Sequence, residues 1–298
     1  NIFPHQQSIE MKHGIFFFVF TTLLVASASA CSPKPVAQKQ VRIAATSVNS
    51  HTHHDSVAQE LAQLREQCQA VVDARKAQSH NYAPHAKSKN AADPAGFVVI
   101  TDYVDAIVEL RYYSNYNFVG CRVDGYQQPV ALATREATMA LAKVAKDLRK
   151  KGYIIKIYDS YRPQMAVDHF VRWSKDMNDM KTKADFYPEF TDKTTLFPTY
   201  IARHSGHSKG STIDLTIVDA STLQDVDMGG TFDYFGNRSH YITRGLTPQQ
   251  KANRKILHDA MMKHGFDYYP EEWWHFTLKN QPYPKTYFTF PVSTTLFP

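Results

Sequence analysis

Two kinds of periodicity interleave from Phe97 onward, and their order constrains the fold more than any other feature of the chain. Residues 97–100 and 106–110 are short runs rich in Val and Ile, the composition of strands. A helix is predicted over 131–151, where Ala137, Leu141, Val144 and Leu148 share one face and Gly152 supplies a stop. Residues 153–158 read as a strand. Pro163 opens a second helix, with Ala166, Phe170 and Trp173 on one face and Val167 and Val171 beside it. A third helix has the clearest start signal: Thr247 as cap, Pro248 at the first position and Gln250 at the third. It runs through Ile256, Ala260 and Met261 and stops at Gly265, and aromatic strand-like segments follow to about Phe290. Helices and strands mix without regular alternation, which selects an α+β fold over a doubly wound sheet. A single domain over 96–292 is expected, with a short tail at 293–298.

Ahead of that domain the chain reads as an address followed by a tether. Met11 and Lys12 begin a short basic stretch, residues 15–26 are apolar, and Ala28-Ser29-Ala30 ends the run with small residues. This is the layout of a secretory signal peptide over 11–30, and the apolar run is too short for a comfortable transmembrane helix. Cleavage after Ala30 would leave Cys31 first, where a lipoprotein signal has its acceptor, although Ala28 stands where Leu is usual. Lipid anchoring at Cys31 and simple secretion both fit, and either places the protein in the periplasm or cell envelope. Residues 31–95 form the tether: polar linkers flank an amphipathic helix at about 55–76, whose apolar positions are Val57, Leu61, Leu64, Cys68 and Val71. Two heptads are too few to define a coiled coil, so this helix is expected to rest on its own domain. His51, His53 and His54 read as a solvated loop rather than a metal site.

The chain has 298 residues, 43% apolar and 21% charged, which excludes a fibrous or wholly disordered protein. About half of the formal net charge of +6 lies in residues 31–95, where 8 Lys and Arg face 5 acids. Elsewhere the basic residues are scattered, with no aromatic-interleaved stripe, so no nucleic-acid partner is expected; a tether near an anionic membrane surface suits the distribution better. Three cysteines, Cys31, Cys68 and Cys121, exclude a disulfide scaffold and a zinc–thiolate site. A Cys68–Cys121 bridge and two unpaired thiols both remain open.

Two segments carry candidate chemistry. In Ser205-Gly206-His207-Ser208-Lys209-Gly210-Ser211-Thr212-Ile213-Asp214, a His and an Asp stand seven residues apart across small residues that let the backbone fold back. Imidazole and carboxylate are good zinc ligands, but a helix or strand start with a capping serine would look the same. In Glu271-Glu272-Trp273-Trp274-His275-Phe276, a carboxylate precedes a His by three. On a regular strand Glu272 and His275 would face opposite sides, so a shared site demands a bulge or turn. Together the segments supply more than either alone: His207, Asp214 and His275 as three ligands with an open position, and Glu272 as general base. Asp159-Ser160-Tyr161-Arg162-Pro163 offers Arg162 as a cation where negative charge develops, or as half of a surface salt bridge.

With these residues in place, the chain from about Phe97 to Val292 resembles the D-alanyl-D-alanine dipeptidases of vancomycin resistance, zinc D,D-peptidases of family M15. The matching stretches run in order: Leu110-Arg111-Tyr112, Asn117-Phe118-Val119-Gly120, Asp124-Gly125-Tyr126, Tyr161-Arg162-Pro163, Ser205 through Thr216, Met228-Gly229, Phe232-Asp233, Arg238-Ser239-His240, Glu272-Trp273-Trp274-His275, Pro282-Tyr283-Pro284 and Tyr287-Phe288. The resemblance implies one domain with a central antiparallel sheet flanked by helices, the fold shared with lysostaphin-type and hedgehog-type domains. It implies one zinc ion held by His207, Asp214 and His275, with Glu272 as base and Arg162 stabilising the reaction intermediate. Ser205 would help hold a small D,D-dipeptide, and Tyr112 and Asp233 match family positions near the site. Ser160 and Gly206 depart from a glycine and a serine usual in the family. The secretion signal is a larger departure, and it points to D-alanine salvage from wall turnover rather than antibiotic resistance. A D,D-carboxypeptidase acting on longer wall peptides shares the ligand motif, and a zinc-holding wall-binding protein without turnover would share the fold. The oligomeric state is not legible.

Overall fold

The computed structural model describes residues 90–297. The signal peptide expected at 11–30, the amphipathic helix at about 55–76, Cys31, Cys68 and the histidines at 51, 53 and 54 lie outside the described residues. Cys121 is half-buried and has no disulfide partner among the described residues.

The strands are β1 (Phe97–Val99), β2 (Ala106–Val108), β3 (Leu132–Thr134), β4 (Tyr153–Asp159), β5 (Thr212–Asp219), β6 (Phe266–Tyr269) and β7 (Glu272–Leu278). The helices are α1 (Arg135–Arg149), α2 (Gln164–Lys175), α3 (Lys183–Phe186) and α4 (Pro248–Lys263). Five strands form the central sheet in the order β2-β4-β5-β7-β6, and β1 pairs with β3 in a separate ribbon. The expectation of an antiparallel sheet needs one correction: edge strand β2 runs parallel to β4. Between them the chain passes through β3 and α1, a crossover long enough to return it to the same end of the sheet. Central strand β5 is buried along Thr212–Val218, so it has no solvent face.

The helix expected from residue 131 begins at Arg135 instead. Ala131 to Ala133 favour helix locally, but Leu132–Thr134 is taken up by pairing with β1. The Thr134 hydroxyl then accepts the Ala137 N–H as an N-cap. The expected faces hold: Ala137, Leu141, Val144 and Leu148 are buried, as are Ala166, Phe170 and Trp173 on α2. At α4 the capping box is complete, with Gln250 N–H donating to Thr247 Oγ1 at 3.1 Å and Thr247 N–H donating to Gln250 Oε1 at 2.9 Å. Helices α1 and α4 pack on each other and on the sheet.

Beyond β7 the aromatic run is not a strand. Pro282, Pro284 and Pro291 lack the N–H that a ladder needs. Tyr283, Phe288 and Phe290 instead surround the Phe97 ring, with centroids 6.2, 4.9 and 4.9 Å away. Both ends of the described chain are tied in. Thr289 N–H donates to Ala91 O at 2.8 Å, and Thr294 N–H donates to Gln128 Oε1 at 2.6 Å. Among the described residues no helix is long and apolar enough to cross a membrane.

Candidate active site

Three side chains line up across three neighbouring strands. Asp159 on β4 pairs with Asp214 on β5, and Asp214 pairs with His275 on β7. Directly opposed residues on paired strands project to one face, so the row collects two carboxylates and an imidazole. Strand period alone would not produce it. On β4, Ile157 pairs with Leu215 while Asp159 pairs with Asp214, so two steps of β4 match one step of β5. That bulge turns Asp159 onto the face of Asp214. The second irregularity lies between β6 and β7, where Tyr268 pairs with Phe276 but Tyr269 pairs with Glu272. This is the bulge that a shared site for Glu272 and His275 demanded, and it brings Glu272 Oε2 to 3.3 Å from His275 Nδ1.

His207 comes from a 3-10 turn, Gly206–Lys209, that precedes β5. Ser205 caps the turn by accepting the His207 N–H at 3.2 Å. Gly210 ends it in the left-handed region, at φ 79°. A Cβ there would meet the Phe97 ring at 2.2 Å, so only glycine allows the return into β5. His207 Nδ1 lies 2.8 Å from the Ser160 carbonyl. A carbonyl only accepts, so Nδ1 carries a proton, and Nε2 faces the row as the atom that would offer its lone pair to a metal.

The donor atoms of His207, Asp214 and His275 lie within 4.8 Å of one another. His207 Nε2 is 3.2 Å from Asp214 Oδ2 and 3.3 Å from His275 Nδ1, and His275 Nδ1 is 3.1 Å from Asp214 Oδ1. A tetrahedral ion with bonds of ~2.0–2.1 Å sets its ligands roughly 3.3 Å apart. The spacing fits zinc, and so does the chemistry. Asp214 is 2% exposed, and its Oδ1 has the His275 ring nitrogen beside it at 3.1 Å. A buried carboxylate needs positive charge beside it, and with both imidazoles acting as neutral ligands a metal ion would supply that charge. Burial pushes the Asp214 carboxyl up, but the charges of and hydrogen bonds from His207 and His275 outweigh this and hold it well below the usual range. Burial also opposes protonation of His275, but hydrogen bonds to Asp214 and Glu272 push it up to about 9.

Arg162 closes the other side. Its Nε donates to Asp159 Oδ2 at 2.9 Å, and its Nη2 lies 3.5 Å from both Asp214 Oδ2 and Tyr112 Oη. Its guanidinium sits over the Tyr112 ring, 4.8 Å from the centroid. It is therefore a buried cation fixed at the site and not half of a surface salt bridge. Tyr112 and Asp233, 121 residues apart in sequence, meet through a 2.8 Å hydrogen bond from the phenol to Oδ2. Asp233 has φ 60°, a conformation that Asp tolerates better than most residues. Burial first, and the charge of Asp214 second, push its carboxyl well above the ordinary range.

All eight residues singled out from sequence line one cavity of about 250 Å³: Ser205, His207, Asp214, His275, Glu272, Arg162, Tyr112 and Asp233. Sequence reasoning missed Asp159 and Tyr126. The Tyr126 hydroxyl donates to Asp159 Oδ1 at 2.7 Å, so Asp159 is held from one side while it holds Arg162 from the other. A signal was present, since Asp159 stands at the predicted strand end, three residues before Arg162.

A cavity with a His–Asp–His donor set, a further carboxylate and a fixed cation has the parts of a centre for metal-assisted hydrolysis. Comparison with known proteins points the same way: the sequence profile of the D-Ala-D-Ala dipeptidases, peptidase family M15, matches residues 93–293, and the chain belongs to that family. It is 37% identical to the D-alanyl-D-alanine dipeptidase of Enterococcus faecalis over 199 residues, covering 66% of this chain and 98% of the relative. It is 38% identical to that of Streptomyces coelicolor over 196 residues, covering 64% and 97%. A solved zinc-bound vancomycin resistance D,D-pentapeptidase aligns with 53% of this chain and 78% of its own at 12% identity and TM-score 0.31, a likeness too slight to bear on the site.

Proposed function

We propose that this protein hydrolyses D-alanyl-D-alanine to two D-alanines with one zinc ion held by His207, Asp214 and His275. The observation that carries this reading is the set of His207, Asp214 and His275 donor atoms at tetrahedral spacing, on the wall of a cavity that also holds Glu272 and Arg162. When bound, zinc would supply Lewis acidity, lowering the pKa of water towards ~7 and polarising the peptide carbonyl.

The chain's own residues account for the rest. Glu272, with a side chain only 12% exposed, is placed to take the proton of the attacking water and pass it to the leaving amine. Arg162, fixed by Asp159, holds positive charge where the carbonyl oxygen becomes negative. Asp233, supported by Tyr112, would bind the substrate's free ammonium, whose charge draws the buried carboxyl back to its ionised form. Ser205 lines the cavity beside the ligand turn and supplies a hydroxyl to the bound dipeptide. The cavity lies below the ~300–1,000 Å³ of drug-sized ligand sites, which favours a dipeptide over a longer wall peptide.

The signal-like segment at 11–30 supports a place in the periplasm or cell envelope, with Cys31 as a candidate lipid anchor, and D-alanine salvage as the role. Steady-state kinetics on D-alanyl-D-alanine and on a wall pentapeptide ending in D-alanyl-D-alanine test the substrate. A higher kcat/KM on the dipeptide is expected; preference for the pentapeptide sinks the dipeptidase reading.

A further inference from the structure

One wall of the cavity belongs to no helix or strand. Residues 198–202 follow the 3-10 turn Lys193–Leu196, run along the pocket and lead into Ser205. Their far side is fastened to the body. Tyr200 and Ile201 N–H both donate to the Leu196 carbonyl, at 2.9 and 3.1 Å, Ile201 is buried, and the Tyr200 ring packs 5.3 Å from that of Phe235. Among the described residues, the hydrogen bond that ties this segment to the central sheet is from Tyr269 Oη to the Thr199 carbonyl, at 3.0 Å. Tyr269 is the last residue of β6 and pairs with Glu272 across the bulge. Its ring lies 5.6 Å from that of His275. One side chain therefore spans from a candidate metal ligand to the wall.

We propose that Tyr269 is a specificity-determining residue: by pinning Thr199 it keeps 198–202 closed across one end of the cavity and limits the substrate to two residues. This rests on the dipeptidase reading and adds to it the element that enforces length. Each further peptide residue needs up to about 3.3–3.6 Å of extended chain, which the small cavity grants only if a wall moves. Phe118, Arg162, Asp233 and Phe235 also line the cavity from loops, but 198–202 is a continuous irregular stretch with its sheet contact at the solvent edge. Thr199 is exposed, so its carbonyl turns to water when the phenol is lost and no buried group is orphaned.

Tyr269→Phe removes the hydroxyl and keeps the ring beside His275. The variant should retain the zinc content of the parent. Its ratio of kcat/KM for a tripeptide ending in D-alanyl-D-alanine over the dipeptide should rise about tenfold, the scale of one net hydrogen bond. Amide hydrogen exchange at 199–202 should quicken in the same variant, a readout that does not pass through activity. An unchanged ratio or unchanged exchange overturns the role of Tyr269 and leaves the dipeptidase reading standing. A parent protein that cleaves no D,D-dipeptide overturns both.

Discussion

Strand β4 carries two charged clusters three residues apart, built in opposite ways. At Lys156 the charges balance. Its Nζ reaches Glu109 at 2.8 Å and Asp225 at 2.6 Å, and Arg111 Nε meets the other Glu109 oxygen at 2.6 Å, so two cations face two carboxylates. Both acids stay partly hydrated, with side chains 42% and 53% exposed. At Asp159 the charges do not balance. Asp159, Asp214, Asp233 and Glu272 gather around Arg162 and His275, formally four negative charges against two positive when His275 is protonated, in nearly complete burial. Burial accordingly pushes Asp159 and Asp233 up. The first cluster is balanced in charge as it stands. On the proposed function the second would be completed by a divalent cation and a charged substrate, and incompleteness of that kind is what separates a site from a structural ion network.

Substitutions on either side of this divide should behave differently. Arg162→Lys keeps a positive charge but loses the planar fork that meets Asp159, and kcat on D-alanyl-D-alanine should fall about 10²–10³-fold. Asp159→Asn acts through Arg162 and the adjoining ligand turn; kcat or zinc affinity should drop about 10–100-fold, the usual scale for an outer partner of a metal site. Retention of full activity in Asp159→Asn would show that Arg162 needs no positioning.

A third effect is on pH. In the metal-free protein His275 is pushed up to about 9 and carries a proton at neutral pH. Zinc requires the neutral ring, so loading at pH 7.5 should release about one proton, and apparent affinity should weaken about tenfold per unit as pH falls below 9. Calorimetry in buffers of different ionisation enthalpy measures the proton count directly. The sign for the metal-free fold is opposite. A raised pKa contributes stability fully present below the ordinary value of 6.5 and lost as pH rises through about 9.

Smallest is the balanced cluster. Lys156→Met should lower stability by at most about 1 kcal/mol, because its partners remain hydrated, and should leave kcat within about twofold, far below the effect of removing a placed charge at the site. Burial opposes ionisation of Glu109, but hydrogen bonding to Lys156 and the charges of Arg111 and Lys156 hold it below 4.5. Its contribution is therefore present above pH 4.5 and lost as pH falls further. Denaturant midpoints at pH 7 and pH 3 should differ less in Lys156→Met than in the parent.

Much of this was legible in the sequence. The helix faces, the Thr247 capping box and the three donors His207, Asp214 and His275 follow from periodicity, cap chemistry and ligand type. What stayed hidden depends on register. A period of two cannot show that β4 and β7 each bulge at the site, so Asp159 passed unnoticed and Glu272 could only be required to turn. Tyr269 and Thr199 are 70 residues apart, and nothing local in either signals their meeting. The start of α1 was misjudged for a related reason: pairing with β1 is a tertiary contact that overrides the local helix preference of Ala131 to Ala133.

The most direct measurement is zinc dependence in the parent and in Glu272→Gln. Parent protein stripped by a chelator should lose D-alanyl-D-alanine hydrolysis and regain it with one equivalent of zinc. Glu272→Gln should bind the same equivalent and remain about 10²–10⁴-fold slower. Hydrolysis that survives complete removal of metal, or full turnover by Glu272→Gln, would contradict the account.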